Sequence, residues 1–373
     1  MAANLSPAER TSFARLLMAW YRKNARELPW RGVHDPYRTW LSEIMLQQTR
    51  VSAVVEHYQR FLRRFPTVVA LALAPEEDVL ALWSGLGYYR RARMLHRAAK
   101  LLVQEYGGSL PDNSVELRRM PGVGVYTSAA IASIAFGERI AVVDGNVERV
   151  LLRVLGQPET PGAKAAEMLN QVAQSLVPEK YAGDHNQAMM ELGATVCLPR
   201  GPLCDVCPVY EFCRTRGEHE TAPRTKMQSE RVSYALCTRK AAVGVGVEVL
   251  LQRRPADVSL MAGMLELPQV LPADDDAVLT EAPVLRVRHA IVGTNYYVEV
   301  FAYGKQAAVK KAALRRADMD WVRTTELANK PLTGLARKVL QRLKLMKASA
   351  EERTPDMPLL IGRGGRMATG EEA

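Results

Sequence analysis

The stretch that determines the fold of this chain is Leu117–Val154, LRRMPGVGVYTSAAIASIAFGERIAVVDGNVERVLLRV. Its segment 121–124, Pro-Gly-Val-Gly, cannot continue a helix, because proline and glycine favour a tight turn. The alanine-rich residues from Tyr126 onward suit a helix again, so the stretch predicts two helices joined by a glycine hairpin. Gly122 and Gly124 would leave backbone N–H groups at the start of the second helix open to a phosphate oxygen. An ordinary turn between two helices remains the alternative.

A carboxylate follows this hairpin directly. The apolar pair at 142–143 leads into Asp144, and a further helix is predicted to pass through Arg149 and Arg153. A turn that binds a phosphate fixes the DNA backbone without reading its sequence. We therefore expect Asp144, just beyond such a turn, to face a sugar rather than bulk water.

Composition limits the classes of protein that fit. The 373 residues are enough for two domains, and the net charge of +10 with a pI of about 9.4 suits a polyanionic partner. The sequence contains no run of 18 apolar residues and no signal-peptide pattern. We therefore expect no membrane association and a cytoplasmic location, at the nucleoid if the source is bacterial.

The hairpin and its aspartate resemble the helix-hairpin-helix-Gly/Pro-Asp superfamily of base-excision DNA glycosylases, and within it the MutY-type adenine DNA glycosylases. The resemblance implies that Asp144 is catalytic, that Asn146 orients it, and that Tyr126 assists on the side of Asp144. It extends to the segment 42–49, SEIMLQQT, where it implies that Glu43 is the general acid.

A helix is predicted over 37–49, with Glu43 among apolar neighbours. From the residues alone, a glutamate on such a helix more often faces solvent. A second helix is predicted over 185–195, with Asp184 as its cap. Beyond the catalytic residues, the resemblance implies contacts to DNA or to the base from Arg31, Leu46, Gln48, Thr49, Tyr88, Gly122, Gly124 and Gln187.

A second glycine turn, 85–89 (GLGYY), interrupts the helical pattern before arginines at 90, 91, 93 and 97. An aromatic ring on such a turn is suited to insertion between bases, with the guanidinium groups on phosphates. Without the neighbouring motifs, a buried tyrosine below a solvated basic helix would be preferred. The resemblance places a DNA-inserting tyrosine at Tyr88.

Four cysteines are concentrated in one short loop, with the spacing Cys197-x6-Cys204-x2-Cys207-x5-Cys213. Packing does not account for such a set of thiols, so zinc and an iron–sulfur cluster are the candidates. Zinc sites usually contain two CxxC pairs and this loop contains one, which makes zinc the weaker candidate. The spacing resembles the 4Fe-4S loop of endonuclease III and MutY relatives, which implies a 4Fe-4S cofactor with a structural role. Cys237 is expected to be a separate, buried thiol.

After a polar stretch, the pattern changes to short β-rich runs. We predict a helical DNA glycosylase domain over 1–215, a linker over 216–231, a smaller domain over 232–345 and a disordered tail over 346–373. The segment 263–268, GMLELP, resembles a segment of the Nudix-like C-terminal domain of MutY proteins. No acidic REXXEE run follows it, so pyrophosphatase activity is not expected.

One loop of the second domain departs from the pattern of the family. MutY proteins commonly read 8-oxoguanine with a Phe-Ser-His-like loop two residues after a histidine. Here His289-Ala290 is followed by Ile291-Val292-Gly293, so all three of these side chains are missing. We therefore expect a smaller preference for 8-oxoguanine over G, with Gln48, Thr49 and Tyr88 supplying the remaining recognition.

These features predict an α+β multidomain protein, in which an all-α helix-hairpin-helix DNA glycosylase domain with an iron–sulfur loop precedes a smaller α/β Nudix-like domain. The implied function is that of a monofunctional, monomeric glycosylase that flips out and hydrolyses adenine opposite 8-oxoguanine or G in double-stranded DNA. The alternative, an endonuclease III-like glycosylase/lyase for oxidised pyrimidines, needs a lysine nucleophile where this chain has Tyr126. A catalytically silent DNA-binding protein would not need Glu43 and Asp144 together.

Overall fold

The computed structural model of the protein describes residues 5–158, 163–219, 227–241, 245–255, 257–258, 260–270, 282–291, 293–303 and 318–347. Helices dominate the chain up to the cysteine loop, and a mixed sheet with a closing helix follows. None of the helices in these ranges has the length and apolar character of a membrane span. The α+β layout predicted from the sequence is confirmed.

The first part of the chain is a helical domain. Its first helix begins after Ser6, because Ser6 and Glu9 exchange hydrogen bonds in a capping box and Pro7 opens the first turn. The helices are α1 (Pro7–Asn24), α2 (Pro36–Leu46), α3 (Val51–Arg64), α4 (Val68–Leu73), α5 (Glu76–Trp83), α6 (Arg90–Glu105), α7 (Ser114–Leu117), α8 (Val125–Phe136), α9 (Gly145–Leu155), α10 (Ala163–Leu176) and α11 (Ala182–Thr195).

These helices enclose two hydrophobic cores. One lies among α2 to α6 around Trp40 and Trp83, and the other lies among α1 and α9 to α11 around Phe13 and Leu151. The helix α8 packs against both α2 and α11, so it connects the two halves of the domain. The glycine hairpin between α7 and α8 therefore lies at the junction of the two cores.

The prediction that α2 extends through Thr49 is wrong, because the helix ends at Leu46. Gln48 adopts the left-handed backbone conformation, with φ of 55°, which a continuing helix excludes. The guanidinium group of Arg91 provides the hydrogen bonds that further helical turns would have given. It donates to the carbonyl oxygens of Ile44, Met45 and Gln47.

The predicted cap of α11 is also wrong. The helix begins at Ala182 after Tyr181, and Asp184 lies in its first turn, where a carboxylate still favours the helix dipole. Gly183 in the same turn lets the helix approach α8 closely. A Cβ at position 183 would lie 2.6 Å from the carbonyl oxygen of Ser133.

The second part of the chain is built on one sheet. Its strands are β1 (Gln228–Lys240), β2 (Val247–Arg253), β3 (Leu265–Glu266), β4 (Gln269–Val270), β5 (Leu285–Ile291), β6 (Thr294–Tyr303) and β7 (Met319–Arg323). The order is β3-β2-β1-β6-β5, with β4 beside β1 and β7 beside β2. The pair β1–β6 is parallel, and the other pairs are antiparallel.

The boundaries of this part differ from the prediction at both ends. Residues 228–231, predicted as linker, belong to β1. The closing helix α12 spans Gly334–Arg342, and Met346, predicted as the start of the tail, is buried in the core of the sheet domain. The tail from 348 onward and the segment 271–281 after β4 lie outside the described residues.

Candidate active site

A cavity of about 1450 Å³ brings together the residues predicted for catalysis and for DNA contact. Met261 and His289 of the sheet domain also line it, so the cavity lies between the two parts of the chain. Positions far apart in the sequence converge here, as they do in a binding site. The predicted residues in the lining are Glu43, Tyr126, Asp144, Asn146, Arg31, Leu46, Gln48, Thr49, Tyr88, Gly122, Gly124 and Gln187.

Glu43 projects from α2 with its side chain buried. The residue is 6 % exposed, and Leu41 and Ile44 beside it are buried as well. Burial raises the pKa of Glu43 to about 7, a hydrogen bond from Tyr126 opposes this rise, and the charge of Asp144 adds to it. A carboxyl group with such a pKa can hold a proton near neutral pH and still release it, as a general acid must.

Tyr126 lies in the first turn of α8 and contacts Glu43. Its hydroxyl group donates to Oε2 of Glu43 at 3.0 Å and lies 3.4 Å from Sδ of Met190. The resemblance placed Tyr126 on the side of Asp144, whereas the structure places the hydroxyl on Glu43. Burial raises the pKa of Tyr126, and the charges of Glu43 and Asp144 raise it further, so the phenol remains a hydrogen-bond donor.

Asp144 is the N-cap of α9. Its Oδ1 accepts hydrogen bonds from the backbone N–H groups of Asn146 at 2.9 Å and Val147 at 2.8 Å. Its Oδ2 accepts a hydrogen bond from Nδ2 of Asn146 at 2.9 Å. These donors hold the carboxylate in one orientation, and the positive end of the helix dipole favours a negative charge there.

Asn146 is held in turn by Arg149. Nη2 of Arg149 donates to Oδ1 of Asn146 at 2.9 Å and to the carbonyl oxygen of Gly193 at 2.7 Å. Because its amide oxygen is occupied in this way, Asn146 presents Nδ2 to Asp144. Gly193 permits the contact, since a Cβ at this position would lie 2.6 Å from Cβ of Asn146.

Arg31 lies at another wall of the cavity, where it forms an ion pair inside the protein. Arg26 and Arg31 both donate to Glu191, whose side chain is fully buried. Although burial opposes a negative charge, the hydrogen bonds from the two arginines lower the pKa of Glu191 to about 2. Breaking such a pair would leave a buried charge, so these contacts fix Arg31 in place.

Sequence reasoning missed Arg26, Glu191 and Arg149. The sequence contained a hint that Glu191 is buried, because Met190 and Leu192 on either side of it are apolar. Glu43 has apolar neighbours in the same way. Arg149 was noted as part of a helix, but its contact with Asn146 depends on the position of α11 and has no local signature.

The two glycines of the hairpin have different roles. Gly122 has φ of 77°, and a Cβ there would lie 2.6 Å from Cβ of Met94, so this glycine is needed for the fold. Gly124 is the N-cap of α8 with φ of −93°, and a Cβ there would meet open space. The backbone at the start of α8 is therefore accessible from the cavity, as anion binding requires.

Tyr88 lies at the tip of its turn in a left-handed conformation, with φ of 47°, and is 48 % exposed. The guanidinium group of Arg91 lies 5.3 Å from the centre of its ring. The prediction that Arg91 binds phosphates is not met, because its donors are used inside the protein. They bind carbonyl oxygens at the end of α2 and, at 3.2 Å each, those of Leu86 and Gly87.

The cysteine loop is attached to the C-terminal half of α9. Nη1 of Arg153, which is 2 % exposed, donates to Sγ of Cys197 at 3.3 Å, and the backbone N–H of Arg216 donates to Sγ of Cys213 at 3.4 Å. A buried cation that faces the sulfur atoms suits thiolates that carry negative charge, as they do around an iron–sulfur cluster. Across the described ranges, no three Cys, His, Asp or Glu side chains are placed to hold a single metal ion.

Comparison with known proteins gives a matching family and several similar proteins. Residues 41–179 match the family described as "HhH-GPD superfamily base excision DNA repair protein". The adenine DNA glycosylase of Homo sapiens is 38% identical, and the match covers 70% of this chain and 58% of that protein. The adenine DNA glycosylase of Mycobacterium tuberculosis is 40% identical, and the match covers 54% of this chain and 66% of that protein. The structure of a thermostable thymine-DNA glycosylase is 29% identical with a TM-score of 0.51, covering 56% of this chain and 97% of that one. This chain spans 42% to 58% of the length of the first curated relatives that it matches.

The hairpin glycines form a matched pair of test positions. We expect Gly122→Ala to destabilise the protein by roughly 2 kcal/mol, because the residue is left-handed and its Cβ would overlap Met94. Gly124→Ala should change the stability by less than about 0.5 kcal/mol and should instead weaken the affinity for double-stranded DNA. Thermal unfolding and duplex titration of both variants measure the difference. Equal loss of stability in the two variants would contradict this division.

Burial of Glu43 predicts a dependence of stability on pH. The stabilising contribution of the protonated carboxyl is fully present below the unfolded pKa of 4.5 and is lost as pH rises through the folded pKa of about 7. Relative to Glu43→Gln, the wild type should therefore lose on the order of 3 kcal/mol of unfolding free energy across this window. Denaturant unfolding of both proteins at pH 5 and pH 8 tests this, and parallel pH profiles would argue against a raised pKa.

Proposed function

We propose that the protein is a monofunctional adenine DNA glycosylase, since residues 41–179 match the HhH-GPD superfamily of base excision DNA repair proteins. The main support for this proposal is that two carboxyl groups line one cavity. Glu43 is buried and has a pKa of about 7, and Asp144 is fixed at a helix N-terminus. Curated relatives that are named adenine DNA glycosylases support the choice of base.

Cleavage of an N-glycosidic bond leaves positive charge on the sugar and negative charge on the base. In the proposed reaction, Glu43 transfers its proton to N7 of adenine, and the bonding electrons leave with the base. Asp144 stabilises the resulting oxocarbenium ion as an anion or bonds to it transiently. Water then attacks C1′ of the sugar, which breaks any bond to Asp144, and the proton that the water loses returns to the Glu43 carboxylate. The two carboxyl groups can take different roles because their environments differ. Burial suits Glu43 to hold a proton, and the helix N-terminus suits Asp144 to remain an anion.

The neighbours of the two carboxyl groups have positioning roles in this proposal. The hydroxyl group of Tyr126 holds Glu43 and stabilises its carboxylate after proton transfer, since this hydrogen bond favours the ionised form. Asn146 holds Asp144 through both its backbone and its amide. Arg31, Leu46 and Gln187 form the wall that receives the extruded base.

The residues at the mouth of the cavity suit an extruded nucleotide. Gly122 and Gly124 present the start of α8 to a phosphate of the DNA backbone. The exposed ring of Tyr88 is inserted into the duplex beside the target, and Gln48 and Thr49 contact the opposite strand. Double-stranded DNA is therefore the partner, bound by a single copy of the chain.

We assign A opposite 8-oxoguanine, and A opposite G, as the substrates. His289, Ala290 and Ile291 line the cavity, so the loop that replaces the Phe-Ser-His-like sequence lies at the site, while Val292 lies outside the described residues. Without a serine to contact the lesion, the hydrogen bonding that is lost is worth about 1–3 kcal/mol. This free energy corresponds to a preference for 8-oxoguanine over G that is smaller by about one to two orders of magnitude. The sheet domain, from β1 at Gln228 to the buried Met346, is proposed as a Nudix-like lesion-recognition domain that follows the glycosylase domain over 1–215.

A 4Fe-4S cluster is the proposed cofactor, held by Cys197, Cys204, Cys207 and Cys213. When bound, it supplies a structural crosslink for the loop rather than a group that reacts with the substrate. The buried guanidinium of Arg153 beside Cys197 supports this donor set. A lyase mechanism is disfavoured, because Tyr126 offers a phenol rather than the amine that forms a Schiff base.

The decisive experiment measures single-turnover base release from duplexes that carry A opposite 8-oxoguanine, A opposite G, or an oxidised pyrimidine. We expect release of adenine only, with no product trapped by borohydride. Asp144→Asn and Glu43→Gln should each lower the rate by at least about 100-fold while retaining duplex binding. Asp78→Asn, which changes an exposed carboxylate paired with Arg64, is the control. Near-normal turnover by Asp144→Asn, or efficient strand cleavage by the wild type, would refute the assignment.

Metal analysis tests the cofactor. The purified protein should be yellow-brown and contain about four iron atoms per chain, as expected for a cluster with four thiolate ligands. Cys207→Ser should lose iron, whereas Cys237→Ser should keep it, because Cys237 is buried in the core of the sheet domain away from the loop. Stoichiometric zinc without iron after anaerobic purification would refute the cluster.

A further inference from the structure

Both ends of the turn that carries Tyr88 are bonded to a single atom of the sheet domain. Oγ of Ser84, just before the turn, donates to the carbonyl oxygen of Leu332 at 2.9 Å. The hydroxyl group of Tyr89, at the end of the turn, donates to the same oxygen at 2.9 Å. All three residues are buried, so water does not replace these contacts.

The acceptor oxygen is fixed by the segment 263–268. The backbone of Leu265 forms a parallel bridge with Leu332, donating to the carbonyl of Pro331 and accepting from the N–H of Thr333. Met264 is fully buried among residues of the first helical core, and the carbonyl of Ala262 accepts a hydrogen bond from Arg93 of α6. The segment that resembles part of a Nudix domain therefore joins the two domains.

The rest of the turn is held from the helical domain. Arg91 donates to the carbonyls of Leu86 and Gly87, and the indole N–H of Trp83 donates to Gly87 at 3.1 Å. Tyr88 itself keeps a left-handed backbone, which costs energy for a residue other than glycine and persists only when its surroundings impose it. The conformation of Tyr88 is thus imposed by contacts from both domains.

We propose that the sheet domain takes part in opening the base pair: the carbonyl of Leu332, through Ser84 and Tyr89, holds Tyr88 in the conformation that enters the duplex. This inference rests on the proposed function. Ser84 and Tyr89 are positioning residues, since both are buried and act through Tyr88. Because they act through insertion of Tyr88, their effect is present whichever base lies opposite adenine, whereas the effect of the 289–293 loop is confined to 8-oxoguanine.

The test uses Tyr89→Phe in the full-length protein. This variant keeps the ring and its packing and removes one hydrogen bond to Leu332. We expect single-turnover base release to fall by about fivefold, the loss that corresponds to one neutral hydrogen bond. The fall should appear both for A opposite 8-oxoguanine and for A opposite G. In the Asp144→Asn background, where cleavage is blocked, the fluorescence gain of 2-aminopurine at the target position should fall in parallel.

Two controls separate positioning from stability. Tyr37→Phe removes another buried tyrosine hydroxyl bond, to the carbonyl of Phe65, and should lower the melting temperature without changing extrusion of 2-aminopurine. In a Tyr88→Ala background, Tyr89→Phe should have no further effect on the rate. An undiminished effect there, a loss confined to 8-oxoguanine, or wild-type fluorescence in Tyr89→Phe would overturn the inference. Absence of adenine release by the wild type would instead refute the proposed function.

Discussion

Burial of the Glu43 carboxyl is the constraint on which the rest of the site depends. A carboxylate in water would be ionised at neutral pH and of little use as an acid. Packing of α2 against α8 withdraws Glu43 from solvent, and the cost of burying its charge brings the pKa to about 7. The same packing brings the hydroxyl group of Tyr126 onto Glu43 and leaves a cavity beside it. The pKa of Glu43, its hydrogen bond and its access from the cavity therefore all follow from one contact between helices.

The helix α9 links the carboxylate of Asp144 to the cysteine loop. Asp144 caps its first turn, and Arg149 and Arg153 project from later turns to the backbone and sulfur of Cys197. Because a helix is stiff along its axis, displacement of the loop would be transmitted to the N-cap. The close approach of α11 at Gly193 adds a second restraint on the same end of the helix.

Features with a local signature could be predicted from the sequence. The hairpin glycines and Asp144 lie within one stretch, and the four cysteines of the loop are recognised by their spacing. Contacts that join distant segments could not be predicted. The donors of Arg91 turn inward because α2 ends early, and Glu191 gains its charge partners only when α1 and α11 pack together. The hydrogen bond from Tyr126 to Glu43 could not be predicted for the same reason, since it depends on where α2 lies.

The inward-facing arginines change the charge that the protein shows to its surroundings. Arg91 and Arg153 donate to carbonyl oxygens and sulfur, and Arg26 and Arg31 share the charge of Glu191. The count of 50 lysines and arginines therefore overstates the number of cations that can displace counterions from a polyanion. The slope of log affinity against log salt concentration is proportional to the number of phosphates that the protein neutralises. Binding to a polyanion should therefore weaken less with rising ionic strength than the number of arginines suggests.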